Sequence, residues 1–375
     1  MRKFFVSLIL LVIFCGVSSA DIVYTTEEGD LGLIRIYSET SADSPVIKNS
    51  IAGTNPIVGA YKGDKEARVF LVDRTDDTSL SGDVLYVFET TDLVEPVNSS
   101  DLEGIYNIDS AAFSDNGNSA FFTSGLVIYD FSTETLTERS SYDCEQRISN
   151  DIYLPEIKCI ATGDRAVYAI INTGTSGDIL LRFDGQLKDD IVSFAIYSTE
   201  MDTSDIAFLS DSRITVAHSG GVSLFKNGTF TPVISTDYPV KKLCRDNDSG
   251  FFYITQHQSE ENYVSTLSHY SENGMRFSAL TLESANPNVQ LLRDDIYETL
   301  AVIMDEKIML YSMESGELIR EFNSASLGGV PLNMAACKST DSSGNESKSK
   351  SGCEISFSGI ILMLVCAGMI SKNKK

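Results

Sequence analysis

Three features predict an all-β fold, a seven-bladed β-propeller. Short β-branched and aromatic runs alternate with Gly, Asn, Asp and Ser turns, as at 69–72, 84–88 and 166–171. A phrase of four strands recurs about every 46 residues, the period of a propeller blade. An incomplete unit lies at each end of the repeat, so the N-terminal strands pair with a C-terminal strand to close the ring. No long stretch shows helical spacing.

The first element, residues 1–20, has the build of a secretory signal. Arg2 and Lys3 supply positive charge, Phe4 to Phe14 are almost wholly apolar, and Ser18-Ser19-Ala20 offers a small-residue cleavage site after Ala20. The apolar run is short for a retained anchor, and bulky Phe14 before Cys15 argues against lipidation of that cysteine.

The propeller body spans 21–337. Pro56, Pro155, Pro239, Pro287 and Pro331 each precede a short apolar strand, and equivalent strands without proline start near Asp109 and Asp205. Proline suits the first position of a strand, where no ladder donor is needed. Within a unit the phrase runs 119–122, 126–131 and 134–136, and again 301–303, 308–311 and 316–320. Strands at 22–26, 32–38 and 44–50 make three quarters of a blade, and Leu332 to Ala336 supplies the fourth strand. Six or eight blades are the nearest alternatives. The pattern resembles the WD-repeat and YVTN-type propellers, without a repeated Trp-Asp or Tyr-Val-Thr-Asn signature.

Residues 338–352 form a polar linker without a large apolar residue. Residues 353–375 follow: Ile355 to Ile370 carry no charge, and Lys372, Lys374 and Lys375 supply a basic flank, as in a C-terminal membrane helix. The Ser/Gly-rich approach, Gly352-Cys353, Phe357-Ser358-Gly359 and the basic end resemble bacterial sorting signals of the Synerg-CTERM, Myxo-CTERM and GlyGly-CTERM kind. That resemblance implies recognition by an envelope sorting protease, removal of the tail near Cys353, and transfer to a surface anchor. The expected location is the cell envelope or cell surface.

Residues 21–337 hold 21 bases against 50 acids, a net charge of −29. Nucleic-acid binding is excluded on that balance, because it needs clustered Lys and Arg. Even spacing of the acids points to solubility before cation capture.

Chemistry-bearing residues are sparse. Cys144 and Cys159 bracket one inter-blade connection in an exported chain and are placed for a disulfide, with Cys244 and Cys337 read as buried free thiols. His218, His257 and His269 lie in different repeats without a second ligand at metal spacing. The run Arg245 to Gly250 resembles a calcium loop but lacks the downstream glutamate, so a turn is expected. No phosphate loop, nucleophile elbow or zinc-protease motif occurs.

Two functions compete. The favoured one is an exported, surface-anchored, non-catalytic scaffold for a protein or glycan partner, needing no cofactor, that meets its ligand where inter-blade connections and inner-strand starts converge. The alternative is a calcium-dependent envelope hydrolase or lactonase with Asp109 and Asp205 as metal candidates in the central channel. A quinone enzyme is weaker still, for want of Trp.

Overall fold

The computed structural model describes residues 20–338, apart from 39–40, 51–56, 63–66, 74–82, 90–92, 114–118, 148–154, 163–165, 173–176, 185–193, 200, 210–212, 247–249 and 295–296. Residues 1–19 of the predicted signal, the predicted linker beyond Lys338, Gly352, Cys353 and the predicted C-terminal tail lie outside the described residues. Among those residues no helix is long and apolar enough to cross a membrane.

Seven antiparallel sheets make up the fold. The closing blade contains β1 (Ala20–Thr26), β2 (Asp30–Ser38), β3 (Ser41–Ala42) and β4 (Val46–Ser50). Blade 1 is β5 (Ile57–Lys62), β6 (Ala67–Asp73), β7 (Asp83–Glu89) and β8 (Asn98–Leu102). Blade 2 is β9 (Ile108–Phe113), β10 (Ser119–Ser124), β11 (Val127–Ser132) and β12 (Glu138–Asp143). Blade 3 is β13 (Glu156–Thr162), β14 (Ala166–Asn172), β15 (Ile179–Asp184) and β16 (Phe194–Ser198). Blade 4 is β17 (Thr203–Phe208), β18 (Ile214–His218), β19 (Gly221–Lys226) and β20 (Thr229–Ser235). Blade 5 is β21 (Val240–Arg245), β22 (Phe251–Ser259), β23 (Asn262–Tyr270) and β24 (Leu280–Ser284). Blade 6 is β25 (Val289–Asp294), β26 (Thr299–Met304), β27 (Lys307–Ser312) and β28 (Leu318–Asn323). A short helix, Ser324–Leu327, leads to β29 (Pro331–Lys338), the innermost strand of the closing blade.

The first strands of the sheets touch in sequence, from β5 through β9, β13, β17, β21 and β25 to β29, and β29 touches β5. That closed circuit defines a seven-bladed propeller. Ring closure follows the expected chemistry: β1 pairs with β29 from Ala20↔Lys338 to Thr26↔Pro331, and with β2 on its other edge. β1 and β2 then have both edges paired, so the N-terminal strands leave no exposed template for aggregation.

Core residues obey the period-2 alternation of strands. On β10, Ala120 and Phe122 pack toward blade 1, whereas Phe121 packs toward blade 3. On β1, Ile22 and Tyr24 face blade 6 and Val23 faces blade 1. The core of the described residues is thus one apolar cluster at each of the seven blade junctions.

Two local expectations are corrected. Residues 134–136 form a turn, and the fourth strand of blade 2 starts at Glu138. Leu136 N–H donates to the Ser132 carbonyl at 2.9 Å, and Leu136 takes a positive φ of 53° while its side chain is buried in the junction between blades 1 and 2. In blade 6 the matching turn uses Gly316, with φ 71° and the same bond to Ser312. The outer strand predicted at 44–50 starts two residues later, as β4, and is preceded by the two-residue β3. Asp43 N–H donates to the Arg35 carbonyl at 2.8 Å between them.

Candidate binding face

Strand direction gives the ring two unlike faces. On one, the first and third strands of each sheet begin and the inter-blade connections arrive; we call this the connection face. On the other, Ala20 and Lys338 lie side by side as register partners, so both described chain ends leave from this tail face.

Buried aspartates pin the connection face. Asp83, at the start of β7, accepts the Ile108 N–H at 3.0 Å, and Asp178, just before β15, accepts the Thr203 N–H at 2.7 Å. Each carboxylate therefore caps the first residue of the next blade's inner strand, satisfying a donor that would otherwise be buried without a partner. Both sit in the same phrase, Ser-Gly-Asp-Val-Leu at 81–85 and Ser-Gly-Asp-Ile-Leu at 176–180. This repeated phrase is a signal that sequence reasoning passed over. Thr203 Oγ1 also donates to Asp178. Lys158 Nζ lies 3.0 Å from Asp178, 2.7 Å from Asp202 and 3.0 Å from the Thr203 carbonyl. Burial works against the Lys158 charge, but Asp202 and Asp178 outweigh it and hold its pKa above the ordinary lysine value.

The two metal candidates are placed on inner strands but not brought together. Asp109 is exposed on β9, Asp205 is half-buried on β17, and β13 stands between those strands in the ring. Asp205 Oδ2 accepts the Leu243 N–H of the neighbouring inner strand at 2.9 Å. Burial raises its pKa, which the Lys242 charge and the Leu243 and Ile206 amides partly offset. Similar side-chain bonds join other inner strands: Thr162 to the Phe113 carbonyl, Ser204 to the Val240 carbonyl, and Arg293 to the Arg245 carbonyl at 3.3 Å. Asp205 thus belongs to a set of cross-links around the channel. Among the described residues no group of three or more His, Cys, Asp or Glu side chains is arranged to hold a metal ion.

Each histidine has a defined structural setting. His218 Nε2 lies 3.0 Å from Ser223 Oγ, a contact with the look of a nucleophile and its base. However, His218 Nδ1 accepts the Gly220 N–H at 3.2 Å, so the ring proton sits on Nε2 and is donated to Ser223. Ser223 in turn donates to Met201 Sδ at 3.8 Å. That direction leaves Nε2 without a lone pair to take a serine proton. Burial lowers the His218 pKa, keeping the ring neutral.

His269 and Asp246, just after β21, anchor a buried polar cluster. His269 Nδ1 accepts the Arg276 N–H at 3.0 Å, so Nε2 donates to Asp246 Oδ2 at 2.9 Å. Arg276 grips the same carboxylate with two 2.9 Å bonds, and Arg293 from blade 6 lies 3.9 Å from it. Arg276 also reaches Glu298 at 3.2 Å. Asp246 is therefore a basic-residue anchor between blades 5 and 6. Asp246 N–H donates to the Gly250 carbonyl at 2.8 Å, and residues 247–249 of the predicted turn lie outside the described residues.

Cys144 and Cys159 are free thiols, so the disulfide weighed for them is not formed. The reason is geometric: Cys144 packs in the junction of blades 2 and 3, whereas Cys159 packs against that of blades 3 and 4. Burial pushes the Cys144 thiol up to about 12, where it is unreactive. Cys244 is a half-buried thiol on β21, and Cys337 lies on β29.

One side-chain pair stands apart from these internal anchors. The Tyr238 ring stacks on His257 with centroids 3.8 Å apart and planes 12° apart. Tyr238 is 45% exposed and sits at the blade 4 to blade 5 connection, on the connection face.

No protein family matches the sequence, and no curated protein is similar to it. Solved structures share its shape. A functionally unknown protein from Desulfotomaculum acetoxidans is similar with a TM-score of 0.59 and 11% identity, over 85% of this chain and 99% of its own. A protein from Lactobacillus plantarum gives a TM-score of 0.59 and 12% identity, over 85% and 99%. The dihydro-heme d1 dehydrogenase NirN, in complex with DHE, gives 0.52 and 9%, over 84% and 74%. What is shared is the fold. Function has to be argued from the site.

Proposed function

We propose that the protein is an exported, surface-anchored, non-catalytic scaffold that binds a protein or glycan partner through its connection face. The observation that carries this reading is the pairing of Asp21, the first residue after the expected cleavage site, with Cys337. With both described ends at the tail face, the opposite connection face is clear of the chain ends and free to meet a ligand. The connections there are held by Asp83 and Asp178 from below, which favours a rigid, preorganised surface. Export rests on residues 1–20, with cleavage after Ala20. Anchoring rests on Gly352, Cys353 and the apolar tail, with an envelope sorting protease as processing partner and the membrane met through the C-terminal segment.

The calcium-hydrolase alternative depended on Asp109 and Asp205 converging, and their separation by β13 weighs against it. Capture of partners by the intact protein from native envelope and secreted fractions tests the scaffold reading. A saturable partner retained at an ionic strength of about 0.15 M, where the Debye length is about 8 Å, is expected. Retention of salt-labile basic proteins alone would instead mean that the −29 charge acts as an ion exchanger.

A further inference from the structure

We infer that the Tyr238–His257 stack is a saccharide-binding platform, and that the scaffold's ligand class is a neutral glycan. The inference rests on the binding-scaffold reading and gives it a location and a chemistry.

Tyr238 is a large aromatic side chain exposed on the connection face. Its backbone is fixed. Thr236 N–H donates to the Gly220 carbonyl at 3.1 Å, Thr236 Oγ1 donates to the Tyr238 carbonyl at 2.7 Å, and Gln256 N–H donates to the Pro239 carbonyl at 3.0 Å. The imidazole covers one face of the ring, so a ligand would meet the opposite face of this 45% exposed residue. An aromatic ring held rigidly with one open face is what the C–H face of a pyranose stacks on, and little conformational freedom is lost on binding.

The flanking groups suit hydroxyls. β22 runs on past Thr255, the partner of Val240 at the start of β21. Residues 256–259 therefore project about 13 Å beyond the inner strand, at about 3.4 Å per residue. Beside the platform this hairpin builds a wall tipped by Glu260 and Glu261. His257 pairs with Val264, which pairs with Glu283, so exposed Glu283 lies in the same row two strands across, about 10 Å away. Exposed Asn262 shares that sheet face. Carboxylates and an amide around a flat ring offer acceptors to sugar hydroxyls. The net charge of −29 on the body turns away polyanions, nucleic acid and acidic glycans alike.

The test is titration calorimetry of the intact protein with cellohexaose, maltohexaose, chitohexaose and mannohexaose, with Tyr238→Ala and Tyr238→Phe alongside. Binding of at least one hexasaccharide is expected, weakened about tenfold or more by Tyr238→Ala and within about threefold of wild type for Tyr238→Phe. Unchanged melting temperatures for both variants would show that the fold is intact. Saccharide binding that ignores Tyr238→Ala overturns the assignment of the site. No saccharide binding, together with a saturable protein partner, overturns the glycan class but leaves the scaffold reading standing. No ligand of either kind overturns both.

Discussion

The Tyr24 hydroxyl donates a 3.1 Å hydrogen bond to the Leu327 carbonyl, joining residues 303 positions apart in the chain. It is the side-chain counterpart of the β1–β29 ladder. Tyr24 is fully buried, and its ring lies directly over Gly32, where an added Cβ would collide with the phenol. Ring closure should therefore respond to both positions. Tyr24→Phe is expected to lower unfolding free energy by about 1 kcal/mol, the net worth of a neutral hydrogen bond. Gly32→Ala is expected to lower it by about 3 kcal/mol through overpacking. Urea denaturation of both variants checks the order, and a harmless Gly32→Ala would contradict the packing described.

Asp178 and Asp83 cap the next blade's inner strand, but Asp178 also holds Lys158 and the Thr203 hydroxyl. Asp178→Ala is expected to cost about 3 kcal/mol, because it strands buried polar partners. Asp83→Ala is expected to cost about 2 kcal/mol. Amide exchange should accelerate first at Thr203 in one variant and at Ile108 in the other.

Asp246 collects His269, Arg276 and Arg293, so its removal leaves the two guanidinium charges facing one another. Asp246→Ala is expected to cost about 4 kcal/mol. The loss should be nearly independent of added salt, since buried pairs are weakly screened. Thermal melts across salt concentrations check this.

Most of the architecture was legible in the sequence, and the reasons are local. Pro155, Pro239 and Pro331 stand at or just before the starts of β13, β21 and β29, because proline needs no donor there. Ring closure could be read because 22–26, 32–38 and 332–336 each carry a strand pattern with no other partner to complete a blade. The anchors were not legible in the same way. Asp178 acts on Thr203, 25 residues on, and Asp246 acts on Arg276, 30 residues on. Such roles exist only once neighbouring blades are packed. The Cys144–Cys159 pairing failed for the same reason: closeness in sequence did not reveal that the two side chains serve different blade junctions.

Asp130 is fully buried on β11, and neither carboxylate oxygen makes a hydrogen bond of ordinary geometry among the described residues, Ser119 offering only a weak contact. Burial raises its pKa above the ordinary 3.8, with Ser119 and the Arg139 charge pulling it back in part. The folded state thus holds this proton more tightly than the unfolded chain. Its stabilising contribution is complete below pH 3.8 and is lost as pH rises through the elevated value. Asp130→Asn is therefore expected to stabilise the protein at neutral pH by about 1 kcal/mol. The gain should vanish toward pH 3.8, and equal melting temperatures at pH 7 would count against it.

The central claim is that binding occurs on the connection face, opposite the chain ends. Hydrogen exchange of the intact protein with and without its captured partner tests it most directly. Protection should be confined to the 236–239 connection, the 259–262 hairpin and neighbouring connections of that face. Protection centred on the tail-face segment 271–279 instead would contradict the account.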